Sequence, residues 1–317
     1  TLGIAQAGKV ISCHEAGRDG FSVHRALEKQ GICSLVVDSS SIEVDRRKRR
    51  VKTDRLDAKK LVRQLVRYCQ GDTDALRVVR VPTVEQEDER RPGRERERLQ
   101  KECFGHISRI SSLLATQGIK KKLKRNVVGE LRKMELPPRL KQELLREAQR
   151  LELAQQQLAE LDEERRQRLR NPEQDTQALK TLELATLCGV GTISAWLLVA
   201  EVFGWRRFNN RREVGSSVGL APTPFITEDG HREQGISKSG NKRPRRVINE
   251  LAWLWLRYQP DSALSLWFNQ RWSAAGGRAR KVGITALSRR LMIALWQYLE
   301  NGVVPDGANL KKAVRID

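Results

Sequence analysis

Lys9-Val10-Ile11-Ser12-Cys13-His14-Glu15 and Cys33-Ser34-Leu35-Val36-Val37, with Gly17 to Gly20 and then Phe21, Val23 and Leu27 between them, form the stretch on which the fold turns. The first apolar run predicts a strand that ends at Glu15. The glycines predict a turn, and the spacing after Phe21 predicts a helix that stops near Gly31. The second apolar run predicts another strand, closed by Asp38 and a serine run. Strand, helix and strand within about 30 residues make a βαβ unit, whose two strands run parallel. Glu15 then lies at the carboxyl end of its strand, where α/β sheets place their sites.

Working outward, Lys52-Thr53-Asp54-Arg55-Leu56-Asp57-Ala58 runs on into Lys59-Lys60-Leu61-Val62-Arg63-Gln64-Leu65. Leu56, Leu61, Val62 and Leu65 recur at near-helical spacing, with Thr53 or Asp54 as N-cap. Asp54 and Asp57, three apart, leave one face of the first turn. Spacing alone leaves two readings open. The pair is a capped helix start with solvated charges, or it holds a hard divalent cation such as magnesium. Lys52 and Arg55 beside it suit a phosphate-bearing substrate. The basic run Arg46-Arg47-Lys48-Arg49-Arg50 is either a solvated loop or a phosphate contact.

Residues 84–100 read as an exposed polar helix interrupted at Pro92-Gly93, and the chain from about 103 to 170 reads as almost entirely helical. Leu144, Leu151 and Leu158 stand seven apart with Ala148, Ala154 and Leu161 between them. This is a heptad seam that predicts an antiparallel or intermolecular coiled coil, against the alternative of one helix packed on its own domain. Asn171-Pro172 ends the region. All seven Trp lie further on, from Trp196 to Trp296. Leu187-Cys188-Gly189-Val190-Gly191-Thr192-Ile193 has the form of the hairpin in a helix–hairpin–helix, with Gly189 and Gly191 letting backbone N–H groups approach a phosphate. Trp253, Trp255, Tyr258, Trp267 and Trp272 are core by the general habit of aromatic residues, or platforms for bases.

The 317 residues suffice for two domains. Lys+Arg number 60 against 39 Asp+Glu, a formal charge of +21 that calls for a polyanionic partner, nucleic acid first. No run of about 20 apolar residues is present for a membrane span and no signal peptide is visible, so the expected place is the cytoplasm, off the membrane. The five cysteines are scattered and never C-x-x-C, which argues against a disulfide framework or a structural zinc site.

Lys52-Thr53-Asp54-Arg55-Leu56-Asp57-Ala58 resembles the last acidic motif of the insertion-sequence one-ten (DEDD) transposases. Cys13 to Gly20 resembles that family's Glu motif. Gly219-Leu220-Ala221-Pro222 and Gly235-Ile236-Ser237-Lys238-Ser239-Gly240-Asn241 resemble its C-terminal domain, and the four stretches come in the right order. The resemblance implies an α/β plus α architecture in three parts: a RuvC-like, ribonuclease H-class α/β domain over 1–102, a helical coiled-coil region over 103–175, and a mostly α C-terminal transposase domain over 176–317. It implies catalytic and metal-binding roles for Glu15, Asp54 and Asp57 around magnesium, because paired cations activate one oxygen and stabilise the other in phosphodiester displacement.

The family's first Asp belongs on an earlier strand. Only 14 residues precede Glu15 and none is Asp, so the α/β domain is expected to be truncated, with an uncovered sheet edge. The family's serine nucleophile falls at Thr227, followed by Glu228 rather than the usual Gly. The expected nucleic-acid contacts are Arg46, Arg47, Lys48, Lys52, Arg55, Gly189, Gly191, Arg232, Ser237, Lys238, Asn241, Lys242, Arg245 and Arg246. DNA, a noncoding guide RNA and further copies of the chain, as a dimer or tetramer, are the implied partners. The alternatives are a catalytically inactive nucleic-acid-binding remnant and a RuvC-like junction nuclease.

Overall fold

The computed structural model describes residues 10–17, 19–38, 41–42, 54–120, 126–227 and 230–316, with the backbone path alone for 54–57, 223–227 and 230–234. The chain forms two compact units. One holds Thr1–Glu85 and Glu201–Ala308; the other holds Gln86–Ala200 and Asn309–Asp317.

The first unit begins with strand β1 (Ile11–Glu15), helix α1 (Gly20–Lys29) and strand β2 (Cys33–Val37). The strands pair in parallel, Ile11 with Cys33 through Glu15 with Val37, as the strand–helix–strand spacing requires. Gly20 lets α1 start hard against the strand, since a Cβ there would stand 2.8 Å from the Glu15 carbonyl oxygen. The His14 ring hydrogen-bonds the Gly20 carbonyl at 2.7 Å across the same turn. Helix α2 (Asp54–Cys69) packs on β1. The buried Gln64 amide donates to the carbonyls of Ser41 and Ala75, tying α2 to the loops on either side of it. On the far edge of β2, Val79 N–H donates to Val36 and Asp38 N–H donates to Arg77. Among the described residues no strand pairs with the other edge of β1.

A short helix, α3 (Val84–Asp88), leads to the second unit. There α4 (Arg91–Ala115), α5 (Val127–Arg132) and α6 (Pro138–Arg170) precede α7 (Thr176–Ala185) and α8 (Thr192–Leu198). The break expected at Pro92-Gly93 falls instead at Glu89-Arg90, and Pro92 sits in the first turn of α4. A first-turn proline loses nothing, because its N–H would have no intrahelical partner in any case.

The heptad seam of α6 finds its cover within the chain. Leu144, Ala148 and Leu151 are fully buried against Cys103, Ile110 and Leu114, with α4 running antiparallel to α6. The direction follows from the ion pairs: Arg96 reaches Asp162 at 2.7 Å, while His106, further along α4, reaches Glu147. Leu144, Ala148 and Leu151 of the seam are thereby covered within the unit, with Leu158 and Leu161 partly buried beside them.

The chain returns to the first unit through a π-helical turn, Val199–Phe203. It continues as α9 (Arg211–Ser217), β3 (Pro222–Thr227), β4 (Gly230–Ile236), α10 (Lys242–Tyr258), α11 (Ala263–Trp272) and α12 (Gly277–Asn301). α12 packs on α9, α10 and α11. Leu287, Leu291, Met292 and Leu295 of α12 are fully buried, as are Trp255 and Phe268. The Trp255 indole donates to the Ser262 hydroxyl at 2.9 Å, which makes burial of its N–H tolerable. Among the described residues no helix is long and apolar enough to cross a membrane.

Candidate nucleic-acid and catalytic site

The acids of the N-terminal region lie on elements that touch. Glu15 is the last residue of β1 and is exposed, while Asp54 and Asp57 lie in the first turn of α2, the helix packed on that strand. The Cys13 thiol, two residues before Glu15, lies 3.9 Å from the Leu61 carbonyl oxygen of α2. The side chains of Asp54, Arg55 and Asp57 lie outside the described residues, as do Arg46, Arg47, Lys48 and Lys52 altogether. The donor chemistry fits a hard divalent cation, since three carboxylates supply the oxygen ligands that magnesium takes.

In the C-terminal region, the two sequence motifs prove to be one interlocked structure. Gly219 has φ +69°, and an added Cβ would collide with the Ser239 carbonyl oxygen and the Arg245 guanidinium. Gly240 has φ +85°, and a Cβ there would stand 2.6 Å from the Ser217 oxygen. Backbone bonds cross between the two loops: Ser237 N–H to Ala221 at 2.9 Å, Lys238 N–H to Gly219 at 3.1 Å and Asn241 N–H to Ser217 at 3.3 Å. Arg245 clamps them, one nitrogen donating to Val218 and Lys238 carbonyls at 3.0 Å each. Asn241 caps α10 by accepting from Arg243 N–H, and its amide donates to the buried Glu201 carboxylate at 2.7 Å. Arg245 and Asn241 thus hold the loops together. Lys238, at φ +56°, is the one described non-glycine residue in the left-handed region and is exposed.

Between the loops runs the β3–β4 hairpin, which the sequence reading did not include. Thr227 ends β3 opposite Gly230, and Arg232 lies in β4 opposite Phe225; both side chains lie outside the described residues. The signal that would have found the hairpin was Asp229-Gly230 between two extended stretches. Ser237 follows β4, and its hydroxyl accepts from Ser239 at 3.1 Å. Lys242 is exposed at the first position of α10, and Arg246 pairs loosely with Glu250 at 3.7 Å.

Gly189 and Gly191 occupy the turn between α7 and α8, Gly189 at φ +87° and Gly191 as the N-cap of α8. A later segment staples that turn. Lys311 donates to the carbonyls of Ala185 and Val190 at 2.7 and 2.6 Å, and Cys188 N–H donates to Asn309. The aromatic residues divide: Trp255, Trp205 and Trp196 are core, whereas Trp253 and Tyr258 stand exposed with Arg280 and Arg257 over their rings.

The Transposase IS116/IS110/IS902 family matches residues 182–266, from α7 into α11 and across both interlocked loops. "Putative transposase y4rJ" of Sinorhizobium fredii (strain NBRC 101917 / NGR234) is 42% identical over 320 residues, covering 95% of this chain and 80% of the relative. "Transposase for insertion sequence element IS1328" of Yersinia enterocolitica is 30% identical over 173 residues, 54% of this chain and 49% of the relative. The small parallel sheet, the helical remainder and the interlocked loops are therefore those of a transposase-class chain. It belongs to the IS116/IS110/IS902 transposase family.

Proposed function

We propose that the chain cuts and rejoins DNA through two groups: the carboxylates Glu15, Asp54 and Asp57, and the hydroxyl of Thr227. The observation that carries the reading is the placement of the two aspartates on the helix that packs against the strand ending in Glu15. The α/β part is then of RuvC-like kind, and the three carboxylates would hold magnesium. When bound, that cation supplies positive charge to the phosphate oxygens. Thr227 Oγ1 attacks phosphorus and gives up its proton. The bond to one strand oxygen breaks, and that oxygen leaves with a proton as a free hydroxyl. A guide RNA and a site shared between copies of the chain belong to the same reading.

The test is a denaturant-resistant protein–DNA adduct, formed with the element's end DNA, its noncoding RNA and magnesium. The expected adduct is lost in Thr227→Ala and Asp54→Ala and kept in Ser237→Ala. Loss in Ser237→Ala alone would move the nucleophile to the interlocked loop. A second reading, DNA binding without cleavage, draws on Thr227-Glu228, where a β-methyl stiffens the hydroxyl-bearing side chain and an acid sits beside it. It predicts salt-sensitive DNA binding with no adduct from any variant.

A further inference from the structure

Beneath the base of the β3–β4 hairpin lies a cavity of about 970 Å³. That is the upper end of the range for ligand pockets, room for more than one ring system with its phosphate. Its walls are divided by chemistry. Leu264, Val282 and Ile293 offer apolar surface, while Arg211, Arg212, Lys238, Arg289 and Arg290 offer positive charge. Among the described residues that line it there is no Asp or Glu.

Two of the cations are set in place by the fold. Arg290 lies 3.9 Å over the Trp267 ring, and burial together with the neighbouring Arg271 pushes its guanidinium below the ordinary arginine range. Arg289 passes against Gly215, where a side chain would come within 3.0 Å of its Nε. That Nε is buried and has no hydrogen-bond partner among the described residues. Holding like charges side by side is costly unless an anion answers them.

From this division we infer that the cavity receives one unpaired nucleotide of the DNA strand, its phosphate on Arg289 and the neighbouring cations and its base against the apolar wall. The inference rests on the DNA-cutting reading above and adds a place for the substrate. Pro222, at the cavity, and Thr227 are the two ends of β3. Five residue steps of extended chain separate them by about 17 Å. A nucleotide seated in the cavity therefore fixes its strand at a set distance from the end of β3.

The experiment compares the unaltered chain with Arg289→Met and with Ala286→Phe, which fills the cavity from α12. The probes are a deoxythymidine pentanucleotide with a central 2-aminopurine and a blunt duplex of mixed sequence, with thermal melting as the check on folding. Both variants should bind the pentanucleotide about tenfold or more weakly, the scale of one lost charge-assisted hydrogen bond. The 2-aminopurine signal change seen with the unaltered chain should vanish. Duplex affinity should stay within about twofold, because one cation among many contributes little to it. Unchanged pentanucleotide binding in the two variants, or an equal loss for both probes, would overturn the cavity and leave the DNA reading standing. An unaltered chain that binds neither probe would overturn both.

Discussion

At the scale of single residues, Glu147 is a buried carboxylate among three basic side chains. Its carboxylate accepts from His106 at 2.8 Å and Arg150 at 2.8 Å and pairs with Arg109 at 2.9 Å. Burial pushes the carboxyl up, but the hydrogen bonds of His106 and Arg150 and the charge of Arg109 outweigh it and hold it below the ordinary glutamate value of 4.5. A carboxyl depressed by folding contributes stability above its unfolded value, and that contribution is lost as pH falls through the folded value. Glu147→Gln should cost about 1 kcal/mol near neutrality, because the Arg109 and Arg150 side chains it leaves behind are mostly exposed. It should also flatten the acid limb of the stability curve. Urea titrations of both proteins between about pH 3 and 7 check this; parallel curves would remove Glu147 from the account.

At the scale of elements, the α4–α6 pair draws its stability from one face. Leu151 is fully buried there, and Leu153, two positions on, is 56% exposed. Leu151→Ala should cost about 3 kcal/mol, and Leu153→Ala less than about 0.5 kcal/mol, measured by chemical denaturation. The same pair shows how far the sequence could be read. The heptad of Leu144, Leu151 and Leu158 announced a seam, but periodicity records only that a face is apolar and not whose side chains cover it. The partner, α4, was hidden because its Glu- and Arg-rich start looked exposed, while Leu99, Cys103 and Ile110 carry the contact further along. The βαβ unit was fully legible, because apolar run, glycine turn and amphipathic spacing agree there. The hairpin of β3 and β4 was not, since its strands carry Pro222, Pro224, His231 and Arg232, poor strand formers individually. The interlocked loops were legible as motifs but not as a structure. Nothing in local sequence reveals that Gly219 must face Ser239, or that Asn241 spends its amide on Glu201. The cations of the cavity were missed because Arg289 and Arg290 sit in a helix whose spacing reads as ordinary amphipathic surface.

At the scale of the whole molecule, +21 of formal charge sets the terms on which any polyanion is met. Each phosphate neutralised releases counterions, so DNA affinity should fall by about a thousandfold or more between roughly 50 and 200 mM salt. Fluorescence anisotropy at several salt concentrations checks this, and a flat log–log plot would contradict phosphate-led binding. The way the chain is threaded has a consequence of a different kind. Each compact unit is assembled from two separated stretches, and the lysine that staples the α7–α8 turn lies beyond every helix of both units. A ribosome delivers residues in order, so during synthesis the Ala185 and Val190 carbonyls wait for Lys311 until nearly all of this sequence has emerged. A chain that stopped at the end of α12 would hold every helix described above and leave that turn unlatched. The arrival of Lys311, rather than the making of any one helix, is the event that latches that turn.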